Sequence, residues 1–130
     1  MTAPPGIDVL IVVQGASLAD PLLPAVRRYG LGTDFAGDAT EAKRMLARHL
    51  YKVLVLDLML PGGAAFDILD YIRTEKVPAT QVIVLADPDT SVLVKLDPTA
   101  IKTVMLNPVD PEQLAGYVHV LTLVRPARLA

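Results

Sequence analysis

Short apolar runs recur along the chain and predict five β-strands. Ile7 to Val13 is apolar apart from one aspartate, and Lys52 to Asp57 and Gln81 to Ala86 have continuous apolar centres. Such runs are typical of strands buried on both faces of a parallel sheet. Leu31 to Ala36 contains two polar residues, so we expect it near an edge of the sheet. Ile101 to Leu106 is the fifth run and is interrupted by a lysine.

Helical spacing and end signals predict a helix after each strand. Asp20 is interpreted as an N-cap before Pro21 at the first helical position, with Pro24 still in the first turn and Gly30 ending the helix. The sequence Asp-Pro-Glu-Gln at 110–113 opens the last helix with a cap, a proline at N1 and a capping-box glutamine at N3. The predicted helices cover about 20–29, 40–50, 66–74, 91–96 and 111–125.

This alternation of strands and helices predicts an α/β domain. Parallel strands need crossover connections, so helices cover both faces of the sheet. We expect a flavodoxin-like (βα)5 three-layer sandwich whose five-stranded parallel sheet has the order 2-1-3-4-5. Residues 1–125 are expected to form this one domain and 126–130 a C-terminal tail. In open α/β sheets a site lies beyond the carboxyl ends of the strands where the order reverses, here between the first and third strands.

Composition narrows the classes of function. A net charge of −2 without a basic run makes nucleic acid a poor partner. The absence of cysteine excludes disulfides and zinc–thiolate sites and fits a cytoplasmic protein. No apolar run is long enough for a membrane helix, and the start lacks the regions of a signal peptide. His49 and His119 are far apart in sequence, so we expect each on a helix surface rather than in a metal site.

The most informative segment is Val53 to Gly63, which reads Val-Leu-Val-Leu-Asp-Leu-Met-Leu-Pro-Gly-Gly. It resembles the phosphoacceptor segment of two-component response-regulator receiver domains, in which an aspartate ends the third strand. The resemblance covers nearly the whole chain, since Val82 to Leu85 resembles the fourth strand and Asn107 to Asp110 the Lys-Pro-Phe-Asp turn. It implies that Asp57 occupies the phosphoacceptor position. It also implies a cis peptide bond between Asn107 and Pro108.

Four positions around Asp57 depart from the pattern of that family. The resemblance implies an acidic pair for magnesium where this chain has Val13 and Gln14, a hydroxyl where it has Ala86, and a lysine where it has Asn107. Magnesium needs hard oxygen ligands, and phosphoryl transfer depends on positioning and electrostatic stabilisation. We therefore expect that magnesium binding is lost and that the domain needs no cofactor.

These substitutions lead to two hypotheses for function and a weak third. The first is a degenerate receiver (a pseudo-receiver) that acts by protein–protein interaction, independently of phosphorylation; Val104 at the family's aromatic switch position agrees with it. The second is a working phosphoacceptor domain of a response regulator, phosphorylated at Asp57 within a phosphorelay. An enzyme or nucleotide binder has little support because no glycine-rich phosphate loop is present. Asp87 and Asp89 are interpreted as turn residues rather than substitutes for the missing groups.

The last helix predicts a surface for a partner. Its core face is expected to contain Leu114, Val118 and Leu121. No charged residue lies between Gln113 and Arg125, although a surface helix normally carries charges opposite its core stripe. An apolar outer face indicates an interface with a protein partner or with a second copy, as an isologous dimer, whereas single exposed aliphatic residues are also common. The expected interface residues are Tyr117, Val120, Leu123 and Val124.

Overall fold

The computed structural model describes residues 8–14, 16–75, 80–88 and 101–123, with the backbone alone at 16–18. The strands are β1 (Val9–Val12), β2 (Thr33–Ala36), β3 (Val53–Asp57), β4 (Gln81–Ala86) and β5 (Thr103–Leu106). The helices in these ranges are α1 (Ala16–Arg27), α2 (Ala39–Arg48), α3 (Ala64–Thr74) and α4 (Pro111–Leu123). A short 3-10 turn at Pro61–Gly63 precedes α3.

The five strands form one parallel sheet in the order β2-β1-β3-β4-β5, which confirms the predicted fold. Ile11 in β1 is paired with Phe35 of β2 on one side and Val55 of β3 on the other. The strands β1 and β3 are buried along their whole length, and β4 is buried after its first residue. Continuous apolar runs therefore identified the central strands correctly.

Alternate residues of each strand face opposite layers, so the sheet separates two cores. Residues such as Ile11 and Val55 pack with α1 and α4, whose buried side chains include Val26 and Leu114. Their neighbours in the strands pack with α2 and α3 on the other face. The domain is thus the three-layer sandwich that the alternating pattern predicts.

The start of α1 differs from the prediction. The helix begins at Ala16, so Asp20 is not its N-cap, and both Pro21 and Pro24 lie inside the helix. Ala19 is buried on the same face as Leu22, against the sheet and α4. Burial of this face stabilises the upstream turn although each proline removes a backbone donor, because tertiary packing supplies most helix stability. The helix ends at Arg27, two residues before the predicted end at Tyr29, and Gly30 closes the turn that follows with a φ of +78°.

Other local predictions agree with the structure. The Asp110 Oδ1 atom accepts a hydrogen bond of 3.0 Å from the Glu112 backbone nitrogen, and Pro111 is the first residue of α4. The bond between Asn107 and Pro108 is cis. His119 lies in α4, and its ring stacks on that of Tyr29 with 4.6 Å between the ring centroids. His49 follows α2 and is exposed at the surface. The predicted helix at 91–96, together with Asp89, Val124 and the tail at 126–130, lies outside the described residues.

Candidate functional site

Four polar side chains meet at the carboxyl edge of the sheet. Asp57 is the last residue of β3, and Asp87 and Asn107 directly follow β4 and β5. Gln14 lies two residues after the end of β1. All four line one cleft of about 540 Å³. Parallel strands bring their carboxyl ends to the same edge, which is why residues so distant in sequence converge here.

The remainder of the described cleft wall is apolar. Helix α1 contributes two side chains, the strand ends contribute two, and the turn after β5 with the start of α4 contributes three. These residues are Pro21, Leu22, Met59, Leu85, Pro108, Val109 and Pro111. The two wall residues of α1, Pro21 and Leu22, lie inside the helix rather than at its start.

Asp57 is a buried residue of the cleft wall. Its side chain is 3% exposed, and its Oδ1 atom accepts a hydrogen bond of 2.8 Å from the backbone nitrogen of Met59. The next residue, Leu58, donates its backbone nitrogen to the Leu85 oxygen at 2.8 Å, which extends the pairing of β3 with β4. The aspartate therefore has one oxygen fixed by the chain that follows it.

Asn107 faces Asp87. Its side-chain nitrogen Nδ2 donates to Asp87 Oδ1 at 3.0 Å, and its backbone nitrogen donates to the Ala86 oxygen at 2.8 Å. Asp87 is half-buried and lines the cleft, so it belongs to the site and is more than the turn residue that the sequence suggested. Its place directly after a buried strand was the signal that could have identified it.

The other predicted pocket positions lie outside the cleft wall. Val13 and Ala86 are both 0% exposed, and their side chains pack in the two cores on opposite faces of the sheet. Val104 is 39% exposed on β5. Thus Asp57, Gln14 and Asn107 come together as predicted, and the structure adds Asp87 to them.

The described wall does not fit the magnesium site that the receiver resemblance implies. The end of β1 supplies a valine buried in the core and a neutral glutamine in place of the acidic pair. Within the described ranges, no three side chains of the metal-binding types cluster. The described wall also contains no lysine, arginine or hydroxyl side chain. Its ionisable groups are the two carboxyls, Asp57 and Asp87.

The outer face of α4 is a second candidate site. Leu114, Val118 and Leu121 are buried, as predicted, and Tyr117 packs against the same core. On the opposite face of the helix, Val120 is 53% exposed and Leu123 is 69% exposed. No helix in the described ranges is both long and apolar enough to cross a membrane.

The sequence is similar to curated response regulators. It is 33% identical over 112 residues to the DNA-binding response regulator MtrA of Mycolicibacterium paratuberculosis, which is 85% of this chain and 49% of that protein. It is 37% identical over 76 residues to the sensory transduction protein RegX3 of Mycolicibacterium smegmatis, which is 58% of this chain and 33% of that protein. The chain spans about half the length of the MtrA relatives it matches. No family model matches the chain.

Solved structures share the fold. The signal receiver domain of a Luxo repressor protein from Vibrio parahaemolyticus superposes with a TM-score of 0.79 at 23% identity, covering 91% of each chain. The receiver domain of the Francisella response regulator 1452 has a TM-score of 0.78 at 21% identity, covering 91% of this chain and 98% of that one. Taken together, the curated relatives and the shared strand order support the conclusion that this chain is a receiver domain of the response-regulator type.

Proposed function

We propose that this receiver domain is degenerate and acts by protein–protein interaction, independently of magnesium and of phosphorylation at Asp57. The observation that carries the proposal is the set of side chains around Asp57. Asn107 occupies the position of the family's lysine and donates its amide to Asp87, while the described cleft wall lacks a cation and a hydroxyl.

Electrostatics favours this reading of the cleft. A phosphorylated Asp57 would carry a charge of about −1.5 to −2 at neutral pH. The carboxyl of Asp87 lines the same cleft, and the described wall contains no lysine or arginine that could balance the added negative charge. Like charges in a partly desolvated cleft repel each other strongly because the local dielectric constant is low. Phosphoryl transfer depends instead on positive charge that stabilises the oxygens of the transferred group.

Intact mass spectrometry after incubation with acetyl phosphate and magnesium tests the proposal. The expected result is an unchanged mass, while a receiver domain that acetyl phosphate does modify is treated in parallel as the positive control. A stoichiometric phosphate adduct that is lost on Asp57→Ala would establish the alternative, a working phosphoacceptor. The position of Asp57 at the end of β3, lining the cleft, is what favours that alternative.

For the partner, we propose a second copy of this chain, bound through the outer face of α4. Val120 and Leu123 are exposed on a helix that lacks charged residues from 113 to 124. An isologous dimer is the commonest symmetric assembly of identical chains. The MtrA relatives are named as DNA-binding proteins, but the net charge of −2 gives no reason to assign a nucleic-acid contact to this domain.

A further inference from the structure

We propose that the cleft at the carboxyl edge of the sheet binds a small organic cation, namely a protonated amine or a guanidinium group attached to an apolar body. The volume of about 540 Å³ lies within the range of roughly 300–1,000 Å³ that is usual for small-molecule pockets. Such pockets combine a mostly apolar wall with a few convergent polar groups. This cleft has seven apolar and four polar residues in its described wall.

The carboxylate of Asp57 supplies the first argument for a cationic ligand. Within the described residues, its recorded donor is the Met59 backbone nitrogen, which bonds to Oδ1. Among the described residues, no fully buried side-chain oxygen lacks a hydrogen-bond partner, and no described donor bonds to Oδ2. The Oδ2 atom therefore keeps some exposed surface, and the residue that carries it lines the cleft. A carboxylate that is 97% buried is costly without a counter-charge, and a ligand cation in the cleft would supply one.

Asp87 supplies the second argument. The amide of Asn107 bonds to Asp87 Oδ1 and so fixes the orientation of this second carboxylate at the wall of the same cleft. Gln14 adds an amide oxygen that accepts hydrogen bonds. An ammonium group has three donors and a guanidinium has five, so either matches several acceptors at once. An anion such as phosphate would instead face two carboxylates without a cation from the described wall.

The apolar wall defines the rest of the ligand. Pro21 and Leu22 of α1 lie on one side, and Pro108, Val109 and Pro111 belong to the turn and helix start after β5. An alkyl or aromatic body would displace water from these side chains. A ligand in this place contacts the turn that leads into α4. A role for this ligand as a signal that the domain senses would rest on the proposed function, whereas its binding does not.

Titration with benzylammonium, followed by ¹H–¹⁵N chemical shifts of the intact chain, tests the inference. For a probe of this size we expect a Kd of about 1 mM, with the largest shift changes at the backbone amides of Gln14, Asp87 and Asn107. Benzyl alcohol, which has the same ring without the charge, should bind at least about tenfold more weakly, because its neutral hydroxyl lacks the charge attraction that strengthens a hydrogen bond between an ammonium and a carboxylate. Benzoate should not bind.

Variants separate the two carboxylates from surface charge. Asp57→Asn and Asp87→Asn should each weaken benzylammonium binding by about tenfold or more. Asp67→Asn, at an exposed aspartate of α3, removes the same charge away from the cleft and should leave the Kd unchanged. Thermal melts confirm that each variant is folded. Equal binding of the amine and the alcohol, shift changes away from the cleft, or unchanged binding by both cleft variants would each overturn the inference.

Failure of amine binding can be distinguished from failure of the proposed function. A chain that binds benzylammonium but also forms a phosphate adduct at Asp57 keeps the ligand site and loses the phosphorylation-independent mechanism. A chain that forms no adduct and binds no amine keeps the proposed function and loses the ligand site.

Discussion

The side-chain amide of Asn107 lies 3.0 Å from the carboxylate of Asp87, and this contact joins the ends of β4 and β5. Asn107 is a neutral donor at the position where the receiver family's pattern has a lysine. Its amide bonds to Asp87 instead of Asp57. The contact therefore gives the substitution at 107 a structural role of its own. Both residues are partly buried, so the bond is shielded from water on at least one side.

Removing this contact should destabilise the domain measurably. Asn107→Ala and Asp87→Ala are each expected to lower the free energy of unfolding, and a double-mutant cycle should give a coupling of about 1–2 kcal/mol, as for a hydrogen bond to a charged acceptor. Urea unfolding of the wild type, the two single variants and the double variant measures it. Strictly additive effects would show that the two side chains do not interact in solution.

Two leucines of α4 provide a matched test of the core. Leu114 is 0% exposed and Leu123 is 69% exposed on the same helix. Leu114→Ala should cost about 2–5 kcal/mol of unfolding free energy because it leaves a cavity against the sheet. Leu123→Ala should change it by less than about 0.5 kcal/mol. Similar losses from both substitutions, in chemical denaturation of monomeric protein, would contradict the assignment of the two faces.

The proposed dimer can be tested by charge on the outer face of α4. Val120→Glu combined with Leu123→Glu should produce a folded monomer, because two carboxylates in an isologous contact are opposed by their symmetry copies. Sedimentation velocity at tens of micromolar measures the mass, and circular dichroism confirms the fold. Leu50→Glu is the matched control, since Leu50 is 73% exposed and follows α2 on another part of the surface. Wild-type protein that sediments as a monomer at this concentration excludes self-association through α4.

Tyr51 should make stability depend on alkaline pH. Burial raises the pKa of this phenol above its usual value, and the hydrogen bond of 2.7 Å that it donates to Asp34 raises it further. A raised folded-state pKa stabilises the domain below the unfolded pKa of about 10, and this contribution is lost as pH rises beyond it. The wild type should therefore lose unfolding free energy above about pH 10 more steeply than Tyr51→Phe does. Parallel slopes for the two proteins between neutral and alkaline pH would refute this role.

The sheet and much of the site follow from local sequence signals, whereas the particular contacts in the cleft do not. Val53 to Leu56 is an apolar run long enough for one strand, and a run without polar residues predicts a strand that is buried on both faces. Asp57 then falls at the carboxyl edge because the strand ends there. By contrast, Asn107 and Asp87 are 20 residues apart, and their bond depends on the register of β4 with β5. No local pattern encodes that pairing.

The beginning of α1 shows a different limit. Pro21 and Pro24 are strong local signals, and they favour a helix that starts at Asp20. The position of Ala19, buried between the sheet and α4, is decided by residues almost a hundred positions later in the chain. Packing with distant residues outweighed the local preference, and the sequence alone contains no direct measure of that packing.

The strand order also has a consequence for how the chain assembles during synthesis. β2 adds to one side of β1 and β3 to the other, so these three neighbours are complete within residues 9–57. β4 then extends the free side of β3, and β5 extends β4. Each new strand therefore meets an open edge as it emerges, and none has to insert between two strands that are already paired. The strands can thus pair in the order in which the ribosome synthesises them, and no pairing already made has to be broken.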